Sequence, residues 1–230
     1  MTPRARRLLW PSVMAAAMFA VLLGLGTWQL ERRAWKEALL ARIDAAEGAP
    51  AVALREPVTP YAKLRVSGTL RHDLAAYYGA EIRRTPAGLK MGAQLIVPLE
   101  RPGAAPILID RGWVPTDDPR PIARPAGVVT LEGYVRAAQP RSWFAASDDA
   151  AKRRFHTLDP AAIGASMGLG RVAPYVLVAL GPPPAEGFPQ PATRLPRPAN
   201  DHLGYALTWY SLAAALAGIF TVYVRKVLRP

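Results

Sequence analysis

The chain contains no cysteine among its 230 residues. That absence removes disulfides, thiolate zinc sites, thiol catalysis, thiolate copper delivery and the C-x-x-C-H attachment of c-type haem. Histidine is scarce as well, with only His72, His156 and His202. None stands in an H-x-H or H-E-x-x-H pattern, so zinc and di-metal hydrolases lack a ligand set. No G-x-S-x-G elbow marks a nucleophile, and the chain reads as a non-enzyme. Acids are few, 17 against 29 Lys and Arg, for a formal net charge of +12. The basic residues are interleaved with those acids, and Lys152-Arg153-Arg154 is the one compact cluster of the middle segment. With no helix-turn-helix, zinc finger or aromatic-basic RNA motif beside it, the charge points to anionic membrane lipids and not to nucleic acid.

Every acid lies between Glu31 and Asp201, which leaves two uncharged apolar stretches, Leu8 to Leu30 and Leu203 to Val224. A helix rises about 1.5 Å per residue and needs about 20 apolar residues to cross a bilayer; both stretches qualify. The first follows Arg4, Arg6 and Arg7 as a secretory signal would. Its length, and its passage into Trp28, Gln29, Glu31, Arg32 and Arg33 without a small-residue cleavage site, favour a retained span. Arg225, Lys226 and Arg229 flank the second span, so the positive-inside rule places both tails in the cytoplasm. Arg32, Arg33 and Lys36 argue the other way and are partly offset by Glu31 and Glu37. The expected organisation is a tail at 1–7, a span at 8–30, an exported domain at 31–202, a span at 203–224 and a tail at 225–230.

Within that domain, 31–46 is rich in helix formers, with no Gly or Pro before Gly48 and Pro50, so the first span should continue as a helix. Arg33 and Glu37 can pair along it, and Trp28, Trp35, Leu39 and Ile43 recur at helical spacing. From 60 to 180 short apolar runs alternate with Gly, Pro and Asp, the texture of strands and turns. Strands are expected at Tyr61 to Leu70, Leu74 to Ile82, Leu89 to Leu99, Ile107 to Val114, Val128 to Arg136 and Tyr175 to Ala179. A short helix is expected at Pro160 to Met167. Short connections favour antiparallel pairing, so the fold class is an α+β membrane protein: two terminal transmembrane helices flanking a mainly antiparallel sheet or open barrel with minor helices. Seven prolines in 181–198 predict a polyproline strap, or a plain linker, leading to the second span.

His202 stands at the mouth of the second span, with Tyr205 and Trp209 three and seven residues beyond it on the same helical face. An imidazole beside two flat rings can ligate the iron of a membrane-soluble porphyrin; equally, Trp and Tyr are ordinary residues of a membrane interface. Trp28, Gln29, Arg32 and Arg33 occupy the matching depth of the first span. Their arginines could meet propionates or could snorkel to the interface. Small residues spaced four apart, Ala16, Ala20 and Gly24 on one span and Ala214 and Gly218 on the other, suggest faces on which the spans touch, which would bring Gln29 near His202.

Four segments resemble the Surf1/Shy1 family of cytochrome c oxidase assembly proteins: Leu25-Gly26-Thr27-Trp28-Gln29-Leu30 with Arg32 and Trp35-Lys36, Tyr61 through Gly68, Asp110-Arg111-Gly112-Trp113-Val114-Pro115, and Asn200 to Tyr210. Leu131-Glu132-Gly133 with Arg136 looks like a further block. The resemblance implies a bacterial inner-membrane protein, its main domain periplasmic, that binds haem a transiently and aids its insertion into oxidase subunit I. His202 is the implied iron ligand, with Tyr205, Trp209, Trp28, Gln29, Arg32 and Arg33 around the group. The implied partners are subunit I and, as a further candidate, the haem a synthase. Arg111, Gly112, Trp113, Gly68 and Gly133 are read as structural or partner-contacting. The alternative is a scaffold that steadies an oxidase assembly intermediate without holding haem.

Overall fold

The computed structural model describes residues 3–85, 88–116, 121–144 and 146–229, with side chains from Arg7 onward. The expected tail residues 1, 2 and 230 lie outside the described residues. The chain divides into two compact units, one made of Met1–Asp44 with Arg197–Pro230 and the other of Ala45–Pro196.

The first unit holds two long helices, α1 (Pro3–Gly48) and α3 (His202–Leu228). α1 begins earlier than the apolar pattern indicates and runs on past the span without a break. Its end coincides with Gly48, as the helix-breaking pair Gly48 and Pro50 requires. Both helices are long and apolar enough to cross a membrane, and only 6% of each apolar window is buried within the protein. A core helix of a soluble protein would be mostly buried; these present their apolar surface outward.

The two helices run antiparallel, His202 meeting Gln29 and Tyr210 meeting Gly26 and Thr27, and the buried or half-buried residues Leu22, Gly26 and Gln29 on α1 and His202, Ala206, Trp209, Ala213 and Leu216 on α3 recur at intervals of three and four. This spacing keeps one stripe of each helix turned to the other, as in a coiled coil. The small-residue faces expected at Ala16, Ala20, Gly24, Ala214 and Gly218 are instead exposed, and nothing lies within 4 Å of where a Cβ on Gly24 or Gly218 would sit. The closest approach is made by Gly26 under the ring of Tyr210, where an added Cβ would stand 2.7 Å from Cε1. A large aromatic over a glycine fills the seam that paired small residues would have closed. Arg197 and Asp44 form an ion pair at 2.6 Å in the same unit.

The second unit is a sheet of eight strands: β1 (Val52–Ala53), β2 (Lys63–Leu70), β3 (Ala76–Thr85), β4 (Gly88–Arg101), β5 (Ala104–Pro115), β6 (Val128–Ala137), β7 (Arg154–Phe155) and β8 (Tyr175–Ala179). Their order is β1-β2-β6-β8-β5-β4-β3-β7, and β2 pairs again with β4 through Thr69 opposite Glu100 and Leu70 opposite Leu99. Strands β2, β6, β8, β5 and β4 therefore close into a five-stranded barrel, with β3 and β7 extending the sheet beyond it. Alternation along β2 (Leu64, Val66, Leu70), β4 (Leu95, Val97, Leu99) and β5 (Ile107, Ile109) fills the barrel interior. The outer face of β4, β5 and β8 carries Ile96, Leu108 and Val176 against Ile163 of α2 (Pro160–Ser166). Asp159 caps α2, its carboxylate accepting from the N–H groups of Ala161 and Ala162.

Three parallel pairings depart from the mainly antiparallel expectation: β1 with β2, β3 with β7, and β5 with β8. The β5–β8 pairing is possible because 59 residues, β6, β7 and α2 among them, separate Pro115 from Tyr175, far more than the minimum of about a dozen that a parallel crossover needs. The strand expected from Leu74 begins at Ala76, after a single 3-10 turn over His72–Leu74. The proline strap at 181–198 is no free linker. Phe188 and Leu195 are buried in it, single bridges join Gln190 to Trp113, Phe188 to Ile122 and Ala192 to Leu180, and Phe188 meets Trp113 edge-on at 5.9 Å. Proline breaks continuous ladders, yet it leaves isolated N–H and C=O groups free to bridge. At Glu47, still within this unit, the carboxylate accepts from Leu195 N–H at 2.8 Å and the carbonyl from Lys63 Nζ at 2.6 Å.

Candidate functional site

His202 opens α3, and Gln29 lies on the α1 stripe that faces it. Their side chains meet, His202 Nδ1 to Gln29 Oε1, at 2.7 Å. An amide oxygen can only accept, so Nδ1 carries the proton and the lone pair of the ring is on Nε2. Gln29 is buried and His202 half-buried, which fixes the ring while leaving an edge accessible. With one nitrogen satisfied by an acceptor, the other remains available to a ligand. Asn200, two residues earlier, has a buried Oδ1 without a hydrogen-bond partner.

About two turns along α3 from His202, Tyr210 meets Thr27; Thr27 Oγ1 donates to the carbonyl of Leu23 at 3.0 Å, so the hydroxyl of Tyr210 donates to Thr27 at 3.2 Å. Spacing from His202 selects Tyr205 and Trp209. The structure adds Tyr210, and its signal was the Gly26-Thr27 pair that receives it. Tyr205 is 58% exposed and Trp28 50%, while Trp209 is half-buried, so Tyr205 and Trp28 do not pack into a closed cage on His202. The arginines are already engaged: Arg33 pairs with Glu37 at 2.7 Å, and the guanidinium of Arg32 lies 4.5 Å from the centre of Trp35, with Lys36 at 5.8 Å from the same ring. Both are exposed ion pairs or stacks that cost little to break.

Among the described residues no group of three His, Cys, Asp or Glu side chains can hold a metal ion. A lone imidazole is too few ligands for a bare cation. A single imidazole is the number of protein ligands that a metal already held by a macrocycle would need.

The second set of expected residues lies in the barrel. Trp113 is fully buried, its Nε1 donating to the carbonyl of Glu81 at 3.1 Å. Gly112 adopts φ +115° where Trp113 and Gln190 exchange two backbone hydrogen bonds of 2.9 Å; a Cβ there would strike the Gln190 carbonyl. Gly68 and Gly133 lie equally close to the carbonyls of Glu100 and Val178 on neighbouring strands. Arg111 is buried, and burial lowers its pKa. Asp110 was not singled out from sequence. It is buried, accepts from Gly112 N–H at 3.0 Å, and its pKa is raised to about 6 by burial, against the pull of that N–H, Arg136 and Arg83. Tyr134 beside it is pushed up to about 12, by burial first and the Asp110 charge second. These residues hold strands and strap together.

A profile of the SURF1 family matches residues 16–214. The chain is 31% identical to a SURF1-like protein of Monosiga brevicollis over 90% of this chain and 84% of that one. It is 29% identical to a SURF1-like protein of Rickettsia felis, covering 91% and 95% of the two chains. Surfeit locus protein 1 of Xenopus tropicalis is 28% identical, over 88% and 72%.

Proposed function

From the premise that this chain belongs to the SURF1 family, a family of cytochrome c oxidase assembly, we propose that it holds haem a at the mouth of its helix pair and aids delivery to oxidase subunit I. The observation that carries this reading is the His202–Gln29 hydrogen bond, which directs a free Nε2 lone pair outward from residues at opposite ends of the sequence. Gln29 holds the ring in one tautomer. Tyr205, Trp209 and Trp28 offer flat apolar walls, and Arg32 or Arg33 can leave Trp35 or Glu37 to meet a propionate. Haem, when bound, would supply an iron for the His202 imidazole to ligate. In this reading α1 and α3 cross the inner membrane of a bacterium with both tails cytoplasmic, supported by their outward apolar surface and by Arg225 and Lys226 in the last turn of α3. The haem a synthase would be the donor.

The test is the absorption spectrum of the full chain purified from cells that make haem a. Wild type should carry the chromophore, and His202→Ala should lose it. Gln29→Glu keeps an acceptor for Nδ1–H and should retain it, whereas Gln29→Leu should lower occupancy about tenfold or more. Full retention in His202→Ala would sink the proposal. The existing engagement of Arg32 and Arg33 favours a second reading, a scaffold that steadies an oxidase intermediate without haem. It predicts oxidase co-purification that His202→Ala leaves intact and changes on the sheet surface abolish.

A further inference from the structure

The loop between β6 and β7 carries Trp143 and Phe144 side by side, each 98% exposed. Single apolar residues on a surface are ordinary, but tryptophan and phenylalanine bury most of their large area on average. The loop is also pinned at its foot. Gln139 N–H donates to the carbonyl of Leu158 at 2.9 Å, and the Asp148 carboxylate accepts from the N–H groups of His156 and Thr157 at 2.6 and 3.2 Å. Residues 140–147 thus leave from and return to a closed neck, and every described residue among them is exposed, with both rings in the turn.

The charge beside the rings is mainly basic. Arg141 is the only charged residue of 140–147, and the turn that follows brings Lys152, Arg153 and Arg154. Backbone bonds of 2.8 and 2.9 Å between Asp149 and Arg154 close that turn next to the neck. The two acids there are already engaged, Asp148 with the N–H groups of the neck and Asp149 with Lys152 at 3.3 Å.

We propose that 140–147 is a membrane-dipping loop: Trp143 and Phe144 enter the headgroup layer of the bilayer, and Arg141 meets its phosphates. Aromatic rings favour that layer, anionic lipid attracts the basic residues, and an arginine stem lies on apolar surface with its head at the phosphates. Area argues against a protein pocket as the occupant. Two rings offer about 300–500 Å², whereas a stable protein interface takes about 800 Å² from each partner. A bilayer needs no more than the rings, because the sheet unit is joined to α1 and α3 at Asp44–Ala45 and Pro196–Arg197, which keeps lipid at high effective concentration. The inference rests on the reading of α1 and α3 as membrane spans. Ser147, at the foot of the loop, stays in water.

With no cysteine in the chain, a single one can carry the environment-sensitive fluorophore NBD. Ser142→Cys in the loop and Leu212→Cys on an exposed face of α3 are labelled in the full chain. Each is reconstituted into phosphatidylcholine and phosphatidylglycerol vesicles containing nitroxide-labelled lipid. Both labels should be quenched. Adding Trp143→Ser and Phe144→Ser, which remove only exposed rings, should lower the ratio of inserted to free loop about tenfold or more and leave the Leu212 label quenched. Quenching at Leu212 without quenching at Ser142 overturns the loop proposal alone, as does quenching at Ser142 that survives loss of both rings. No quenching at either position removes the span reading and this proposal with it. A Ser142 label shielded from iodide in native membranes yet unquenched in the vesicles would assign the rings to a protein partner and also overturn the proposal. None of these variants touches the helix-pair mouth, so haem occupancy should not change.

Discussion

Asp110 sits on the same sheet face as Ile96, its register partner on β4, and burial there raises its pKa to about 6. Unfolded, the carboxyl titrates near 4. Below both values it is protonated in either state and costs nothing. As pH rises from about 4 to 6 the unfolded chain releases its proton first, so stability falls, and above 6 the full cost remains. Two pH units correspond to about 3 kcal/mol. Asp110→Asn keeps the oxygen that Gly112 N–H needs and removes the charge. Chemical unfolding of the full chain in detergent should therefore show the variant gaining about 2–3 kcal/mol on wild type between pH 4 and pH 7. A difference that stays flat across that range would show that Arg136 and Arg83 already neutralise the carboxylate.

The helix pair turns on Gly26, since the ring of Tyr210 occupies the space a side chain would need. Gly26→Ala should destabilise the seam by about 1–3 kcal/mol through overpacking, and adding Tyr210→Leu should recover most of that loss. A double variant no more stable than Gly26→Ala would show that the ring is not the obstacle. At this scale the sequence was legible where periodicity is long or strict. The strand at Tyr175–Ala179 and the helix extension with its Arg33–Glu37 pair follow from spacing; the approach of Gln29 to His202 was expected through small-residue faces that the structure leaves exposed. What was not legible has physical causes. β1 and β7 have two residues each, too short for any period, and the parallel β5–β8 pairing depends on contacts across the whole domain. The seam was misread because small residues at intervals of four mark a possible close face, and here an aromatic laid over one glycine provides the contact. The strap hid Phe188 and Leu195 because proline content argues against ladders and says nothing about side-chain burial.

For the molecule as a whole, the absence of cysteine becomes an experimental asset. Single cysteines can be placed at exposed Ser147 in the sheet unit and at Arg229 beyond α3 without background. In intact bacterial cells with a permeabilised outer membrane, a membrane-impermeant maleimide should label Ser147→Cys. Arg229→Cys should react only after the inner membrane is opened. The reverse pattern would invert the proposed topology.

The His202–Gln29 pair also has a consequence in time. Its members are separated by 173 residues, and a ribosome adds about 5–20 residues per second. Gln29 thus emerges roughly 10–35 s before the residue it must hold. A chain released early, by premature termination or proteolysis, has the waiting half of the pair and nothing to orient. The pair is therefore completed only after every residue of the intervening barrel has been synthesised, so a ligand that needs both members can be held only by a chain whose barrel has already been made.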